Sequence, residues 1–236
     1  MIDCENEADY NELSLFITPL GRLVQQEHCE ALLGKRDPKT ERAFYITGIN
    51  DSLTSIAQSF WDIDLTIKLI QFADPKIKSF KMTRIDRGEY LKYHFENYFF
   101  RLPKLKDQML NLLNVVYQLG YHQSNSLEKK IRKTKRIEEK NLLLFLDYFD
   151  NAFSKIKPVR DKIAHRGDLE DQNIAMLTSY TLIEYDKEVY NNLIKGQIAY
   201  TYIFRKNQSV LKQAVIMLLL VLNDEFIERL KSLKSE

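Results

Sequence analysis

Apolar residues recur at three- and four-residue steps along most of the chain, which is the spacing of one face of an α-helix. In the first such stretch this spacing predicts a helix from near residue 10 to Leu33, with Pro19 as the position where it would kink. In the second it predicts a helix from about Glu41 to Ala73, with Gly48 and the polar residues 50–52 as points where it would divide. The first third of the chain is therefore expected to be helical.

Three further stretches carry the same periodicity. Glu89–Leu119 has an apolar stripe that Pro103 interrupts, and Leu142–Ile156 is rich in leucine and phenylalanine. The second of these helices is expected to kink or restart at Pro158. The last, Val210–Leu230, has a broad apolar face and a charged tail, which is typical of a packed amphipathic helix.

Two segments lack clear periodicity. Ser124–Lys140 is strongly polar and basic, whereas Asp168–Gly196 fits either a helix or a strand, and we favour a helix. Only seven glycines and five prolines occur in 236 residues, which indicates long helices and few turns. We therefore predict one all-α domain, and the length allows a core without disulfides or metals.

Composition limits the classes of partner and compartment. The net charge of +2 is nearly neutral, so any attraction for nucleic acid must come from a local cluster of cations. Cys4 and Cys29 are too few for a disulfide framework. The acidic start at residues 1–5 does not resemble a signal peptide, and the longest apolar run, 214–222, is much shorter than the roughly 20 residues that span a bilayer. We expect a cytoplasmic protein with no membrane contact.

One pair of residue types suggests chemistry on phosphate. An arginine followed by four to six residues and a histidine occurs at Arg22–His28, Arg87–His94 and Arg160–His165, so spacing alone does not select a site. A guanidinium holds phosphate oxygens, and an imidazole exchanges protons near neutral pH. Taken alone, the third pair also fits the solvated end of an amphipathic helix.

The context of the third pair distinguishes it from the other two. An acid follows the arginine directly, Ile-Ala precedes the histidine, and Arg166-Gly167 closes the segment. The run Arg-Asp-Lys-Ile-Ala-His-Arg-Gly at 160–167 closely resembles the signature of the HEPN family, of the Cthe-like branch. The resemblance extends loosely to Glu96-Asn97 and Arg101 on an earlier helix, which look like the second polar cluster of HEPN bundles.

The resemblance implies a fold and an activity. The fold would be an all-α HEPN-like bundle with additional N- and C-terminal helices, in a single domain 1–236 with its core at about 88–236 and residues 10–75 as an extension. The activity would be that of a metal-independent endoribonuclease, in the setting of a toxin–antitoxin or phage-defence system with an antitoxin or regulatory protein as partner. The alternative is a non-catalytic HEPN module that binds RNA or a nucleotide, or that dimerises.

The expected chemistry divides between three residues of the signature. His165 would withdraw the proton of a ribose 2′-hydroxyl, or act as the acid, and Arg160 would stabilise charge on the phosphoryl oxygens. Asp161 lies four residues before His165, so it shares a helix face and could orient the imidazole. Five residues rotate a helix by about 140°, so Arg160 and His165 of one chain diverge and a homodimer is expected to complete the site.

Other side chains are candidates for holding RNA. The helix of Glu96, Asn97 and Arg101 would face the signature, with Arg101 as a second phosphate-binding guanidinium, or these residues would form an ordinary polar network. Arg166 would also contact substrate. The basic run, which is the cluster of lysines and arginines within Ser124–Lys140, would follow the RNA backbone, or it would be a solvated helix face. The residues of this run expected to contact RNA are Lys129, Lys130, Arg132 and Lys133.

Neither a cofactor nor a metal is expected. His28, His94 and His122 show no paired spacing and no neighbouring carboxylates arranged as ligands, so core or surface positions are predicted for them. No glycine-rich phosphate loop or zinc-binding pair occurs. The aromatic run at 90–100 is expected to serve core and dimer packing.

Overall fold

The computed structural model describes residues 14–35, 37–74, 86–124, 126–154, 161 and 187–233. Over these residues the regular elements are α-helices and no strand occurs, which confirms the predicted all-α class. The helices are α1 (Ser14–Ile17), α2 (Pro19–Leu32), α3 (Glu41–Phe72), α4 (Arg87–Val116), α5 (Leu127–Arg132), α6 (Lys135–Glu139), α7 (Leu143–Phe153) and α8 (Lys187–Ser232).

The first predicted helix is two helices. Pro19 starts α2 at its first turn, where its missing N–H costs nothing. Thr18 caps this helix, because its Oγ1 accepts a hydrogen bond from the backbone N–H of Gly21 at 3.1 Å. The chain therefore breaks before Pro19 and does not merely kink. Gly34 ends the region with a φ of 71°, a conformation that glycine adopts without strain.

The second predicted helix is unbroken at its suspected weak points. At Gly48 an added Cβ would lie 3.2 Å from Cγ1 of Val115, so the glycine allows α3 and α4 to approach closely. Ser52 donates its hydroxyl to the Gly48 carbonyl at 2.8 Å, which satisfies the side chain within the helix. Pro103 likewise lies inside α4 without ending it.

In the later part of the chain, the helices differ in length from those that the sequence predicts. The basic segment forms two short helices, α5 and α6. The last helix begins at Lys187 and not near Val210, so the helix favoured for 168–196 is confirmed from residue 187 onward. The remainder of that segment, and Pro158, lie outside the described residues.

The chain divides into two compact units. The first contains the described residues within 1–60, 105–149 and 211–236. Its core is built from buried residues of several helices, and Tyr45 stacks on Phe226 with ring centroids 5.9 Å apart. Representative fully buried members are Leu20, Leu53, Leu112, Phe149 and Leu222.

The second unit contains the described residues within 61–104 and 150–210. Isoleucines at 63, 67 and 70 of α3 form a buried stripe with the spacing of one helix face. Tyr98 of α4 stacks on Phe204 of α8 with centroids 3.8 Å apart, which fixes these two helices against each other. That residues 1–236 form one domain stays a prediction.

Candidate functional site

Most of the predicted catalytic segment lies outside the described residues. This applies to Arg160, His165 and Arg166, while the helix that leads toward them, α7, ends at Phe153. Asp161 is described, and it is helical and half-buried. Its predicted pairing with the imidazole of His165 stays a prediction.

The predicted second cluster lies on α4. Glu96, Asn97 and Arg101 are all half-buried, and Asn97 and Arg101 share a face because they are four residues apart. These positions leave the three side chains accessible from solvent without making them wholly exposed. They stay candidates for contact with substrate.

Arg101 has a partner that the sequence pattern did not indicate. Its Nη1 donates to Oδ2 of Asp62 on α3, within the same unit, and its Nε is buried without a hydrogen-bond partner among the described residues. Asp62 is 39 positions from Arg101 in sequence. The signal that could have pointed to it is an acid beside the buried Ile63, on the flank of an apolar stripe.

The two arginines of the basic run, Arg132 and Arg136, form ion pairs that join helices of the first unit. Arg132 donates to Oε1 of Glu128 at 2.8 Å and to Oδ1 of Asp147 at 2.7 Å, so it ties α5 to α7. Arg136 pairs with the buried Glu225 and lies over the ring of Tyr117 at 5.4 Å. Both guanidiniums are therefore engaged by side chains of their own unit.

The lysines of the run have a different setting. Lys129, Lys130 and Lys133 are exposed, and the Lys130 ammonium lies 5.9 Å from the ring centre of Tyr121. A shallow cavity of 310 Å³ lies beside them, lined by Glu128, Lys129, Arg132 and Lys133. Of the four basic residues of this run that are predicted to contact RNA, the structure thus leaves the three lysines exposed and places the arginine in ion pairs.

Glu128 is the acid that organises this segment. It accepts from Lys106 Nζ at 2.7 Å as well as from Arg132. Burial raises the pKa of its carboxyl, but the hydrogen bonds and charges of Lys106 and Arg132 outweigh burial and hold the pKa below its usual range. The carboxylate is therefore charged at neutral pH.

The other histidines occupy ordinary positions. His94 is buried between the rings of Tyr90 and Tyr93, with centroids 4.4 and 5.2 Å away, and burial lowers its pKa. His122 is exposed, and His28 lines a cavity of 690 Å³ beside the Glu27–Arg42 ion pair, which has a length of 2.9 Å. Among the described residues no three His, Cys, Asp or Glu side chains are grouped to hold a metal ion.

The aromatic run on α4 is only partly core. Phe95 and Tyr98 are buried as expected, whereas Tyr93 and Phe100 are exposed. The two exposed rings lie seven residues apart, so they share the outer face of the helix. Dimer packing by this face stays a prediction.

Comparison with known proteins places the chain in a family. A model of the Cthe2314-like HEPN family matches residues 45–226, more than half of the chain. No curated protein and no solved structure matches. None of the helices in the described part of the chain is long and apolar enough to cross a membrane.

The matched range encloses both sequence features that resembled this family. It contains the signature at 160–167 and the α4 positions 96, 97 and 101. The helical class of the described residues agrees with the match. The chain belongs to the HEPN family, in its Cthe2314-like branch.

Proposed function

We propose that this protein is a metal-independent endoribonuclease that uses Arg160 and His165. The observation that carries the proposal is the family match over residues 45–226, which spans the whole Arg160–Gly167 signature. HEPN domains generally act as ribonucleases or nucleotide-binding modules, and they bind RNA and often dimerise. The signature supplies the two residue types that cleavage of a phosphodiester needs.

Cleavage proceeds by attack of the ribose 2′-oxygen on the adjacent phosphorus. The bond from phosphorus to the 5′-oxygen breaks, which leaves a 2′,3′-cyclic phosphate and a 5′-hydroxyl. Two proton transfers accompany this exchange, one from the 2′-hydroxyl and one to the departing 5′-oxygen, and His165 carries one of them. Arg160 stabilises the negative charge that develops on the phosphoryl oxygens.

The remaining candidates position the substrate. Asp161 orients the imidazole of His165, while Arg101, Asn97 and Glu96 of α4 contact the backbone or sugar. Arg166 and the exposed lysines of the basic run hold flanking phosphates. The biological setting that we propose is a toxin or phage-defence effector held in check by an antitoxin or regulatory protein.

The test is cleavage of labelled RNA in the presence of EDTA. Wild-type protein should cut RNA and release cyclic-phosphate ends, whereas Arg160→Ala and His165→Ala should lose at least about a hundredfold in rate, the usual size of an acid–base contribution. DNA of the same sequence should stay intact, because it lacks the 2′-hydroxyl.

The matched control for His165 is His28→Ala. His28 is a half-buried histidine outside the signature, so its loss should leave the rate unchanged. His94→Ala is unsuitable as a control because that side chain is buried and its removal would disturb packing. Activity that is lost on chelation and restored by Mg²⁺ would contradict the mechanism, and RNA binding without cleavage by wild type would favour the non-catalytic module.

A further inference from the structure

Asp62 forms an ion pair with Arg101, the arginine of α4 that is a candidate for binding phosphate. Its Oδ2 accepts from Nη1 of Arg101, and the two residues belong to α3 and α4 within the second unit. The side chains are 21% and 36% exposed, respectively, so solvent reaches both partners. The pair is therefore placed where a dissolved anion can compete with the carboxylate.

The geometry of the Arg101 guanidinium determines how a phosphate can bind it while Asp62 is paired with it. A phosphate binds in the bidentate manner either at the side edge, formed by Nε and Nη2, or at the end edge, formed by Nη1 and Nη2. The side edge of Arg101 includes Nε, which is buried. The end edge includes Nη1, which is bonded to Asp62. A phosphate that binds at the end edge therefore meets the Asp62 carboxylate that is already bonded to Nη1.

We propose that Asp62 is a built-in competitor of RNA phosphate at Arg101. Binding of RNA replaces the carboxylate on Nη1 by a phosphate oxygen, so the phosphate and the Asp62 carboxylate compete for the same guanidinium nitrogen. A partly exposed ion pair is screened by water and holds its partners weakly, which allows this exchange. The inference rests on the RNA binding in the proposed function and does not depend on cleavage.

Neutralising Asp62 should therefore tighten the binding of RNA. Asp62→Asn keeps the shape of the side chain but removes its charge, so Arg101 no longer has to leave an ion pair. The expected gain in affinity is about two- to fivefold, the range that corresponds to opening one partly exposed pair. A merely structural pair would give no gain when it is broken.

The experiment measures fluorescence anisotropy of a labelled single-stranded 2′-O-methyl RNA, which cannot be cleaved because its 2′-oxygen carries no proton. Low ionic strength keeps the electrostatic contribution large. The matched control is Asp64→Asn, since Asp64 lies on the same helix, is 23% exposed and pairs with Lys68 at 2.7 Å. We expect Asp62→Asn to bind more tightly than wild type and Asp64→Asn to bind as wild type does.

A double-mutant cycle assigns the gain to Arg101. Arg101→Ala should weaken binding, and Asp62→Asn combined with Arg101→Ala should bind no better than Arg101→Ala alone. Asp62→Ser provides a second neutral variant in case the asparagine lowers the melting temperature. Equal affinity of the Asp62 and Asp64 variants, or a gain that persists without Arg101, would overturn the inference.

The proposed function and this inference fail in different ways. Wild-type protein that binds the RNA probe but does not cut ordinary RNA would overturn the ribonuclease proposal and leave the competition at Arg101 standing. Wild-type protein that neither binds the probe nor cuts ordinary RNA would overturn both.

Discussion

Glu128 is an acid within the basic run that stabilises the fold through two ion pairs. Its carboxylate accepts from Lys106 and from Arg132, and Arg132 in turn reaches Asp147. Two cations and two acids therefore meet around α5, so the charge on Arg132 is balanced inside the protein. At the residue scale, the cations open to an RNA phosphate are the lysines of this run.

This arrangement predicts a pH dependence of stability. The pKa of Glu128 is lower in the folded chain than in the unfolded chain, so its carboxylate stabilises the fold above the ordinary carboxyl pKa, and this contribution disappears as the pH falls through the folded pKa. Glu128→Gln should lower the free energy of unfolding at neutral pH, and the difference from wild type should shrink in acid.

Urea unfolding at neutral and acidic pH measures this difference. Glu138→Gln is the control, because Glu138 is an exposed glutamate on the neighbouring helix α6. A difference for Glu128→Gln that stays constant with pH would contradict the assigned role of the carboxylate.

At the scale of elements, α5 carries one arginine that is held in ion pairs and, with its C-cap, three lysines that are exposed to solvent. Its buried residues, Leu127 and Ile131, hold one face against the core, while Lys129, Lys130 and the C-cap residue Lys133 are exposed. A short helix with one packed face can present its lysines to an RNA backbone without loss of packing. The arginine of the same helix is fixed by its ion pairs.

Replacing the three lysines by alanine should flatten the salt dependence of RNA binding. The slope of log K against log salt should become less negative by about 0.7 for each phosphate of a single strand that the protein no longer neutralises. Anisotropy titrations over a range of salt concentrations measure the slope. Arg132 is left in place, because its removal would disturb the ion pairs around Glu128.

The control for this prediction is a variant with exposed lysines removed elsewhere. Lys35→Ala with Lys39→Ala removes two exposed lysines of the first unit outside α5 and should leave the slope unchanged. An unchanged slope in the triple-lysine variant would assign the run to the solvated face that the sequence also allowed.

At the scale of the whole molecule, the divergence of Arg160 and His165 by about 140° on a regular helix predicts a site that two chains complete. Mixed Arg160→Ala and His165→Ala chains should then regain cleavage, because a heterodimer contains one site in which both residues are wild type. Cleavage assays after unfolding and refolding the mixture measure this recovery.

The control mixes the double variant with wild type and should show no gain over the wild-type dimers that remain. Dimers are detected by mass photometry or by labels on the two chains. Heterodimers that form but stay as inactive as either parent would contradict pairing between chains.

Sequence alone established the helical class and the family. Periodicity is a local property, and the spacing of apolar residues in α3 and α4 is strong enough to predict them despite Gly48 and Pro103. The signature at 160–167 is also local, since its residue types and order are contiguous in the chain. These features could be predicted from the sequence because each depends on residues within a few helical turns of one another.

Only the tertiary structure decided which side chains are engaged. Asp62 meets Arg101, and Glu225 meets Arg136, across 39 and 89 positions, distances at which no local pattern predicts a pair. The early start of α8 was hidden because Gln197 and Thr201 occupy buried positions that periodicity assigns to apolar residues. Burial and pairing arise from contacts between helices, so the sequence proposes charged candidates and the packed chain determines which of them can still bind a ligand.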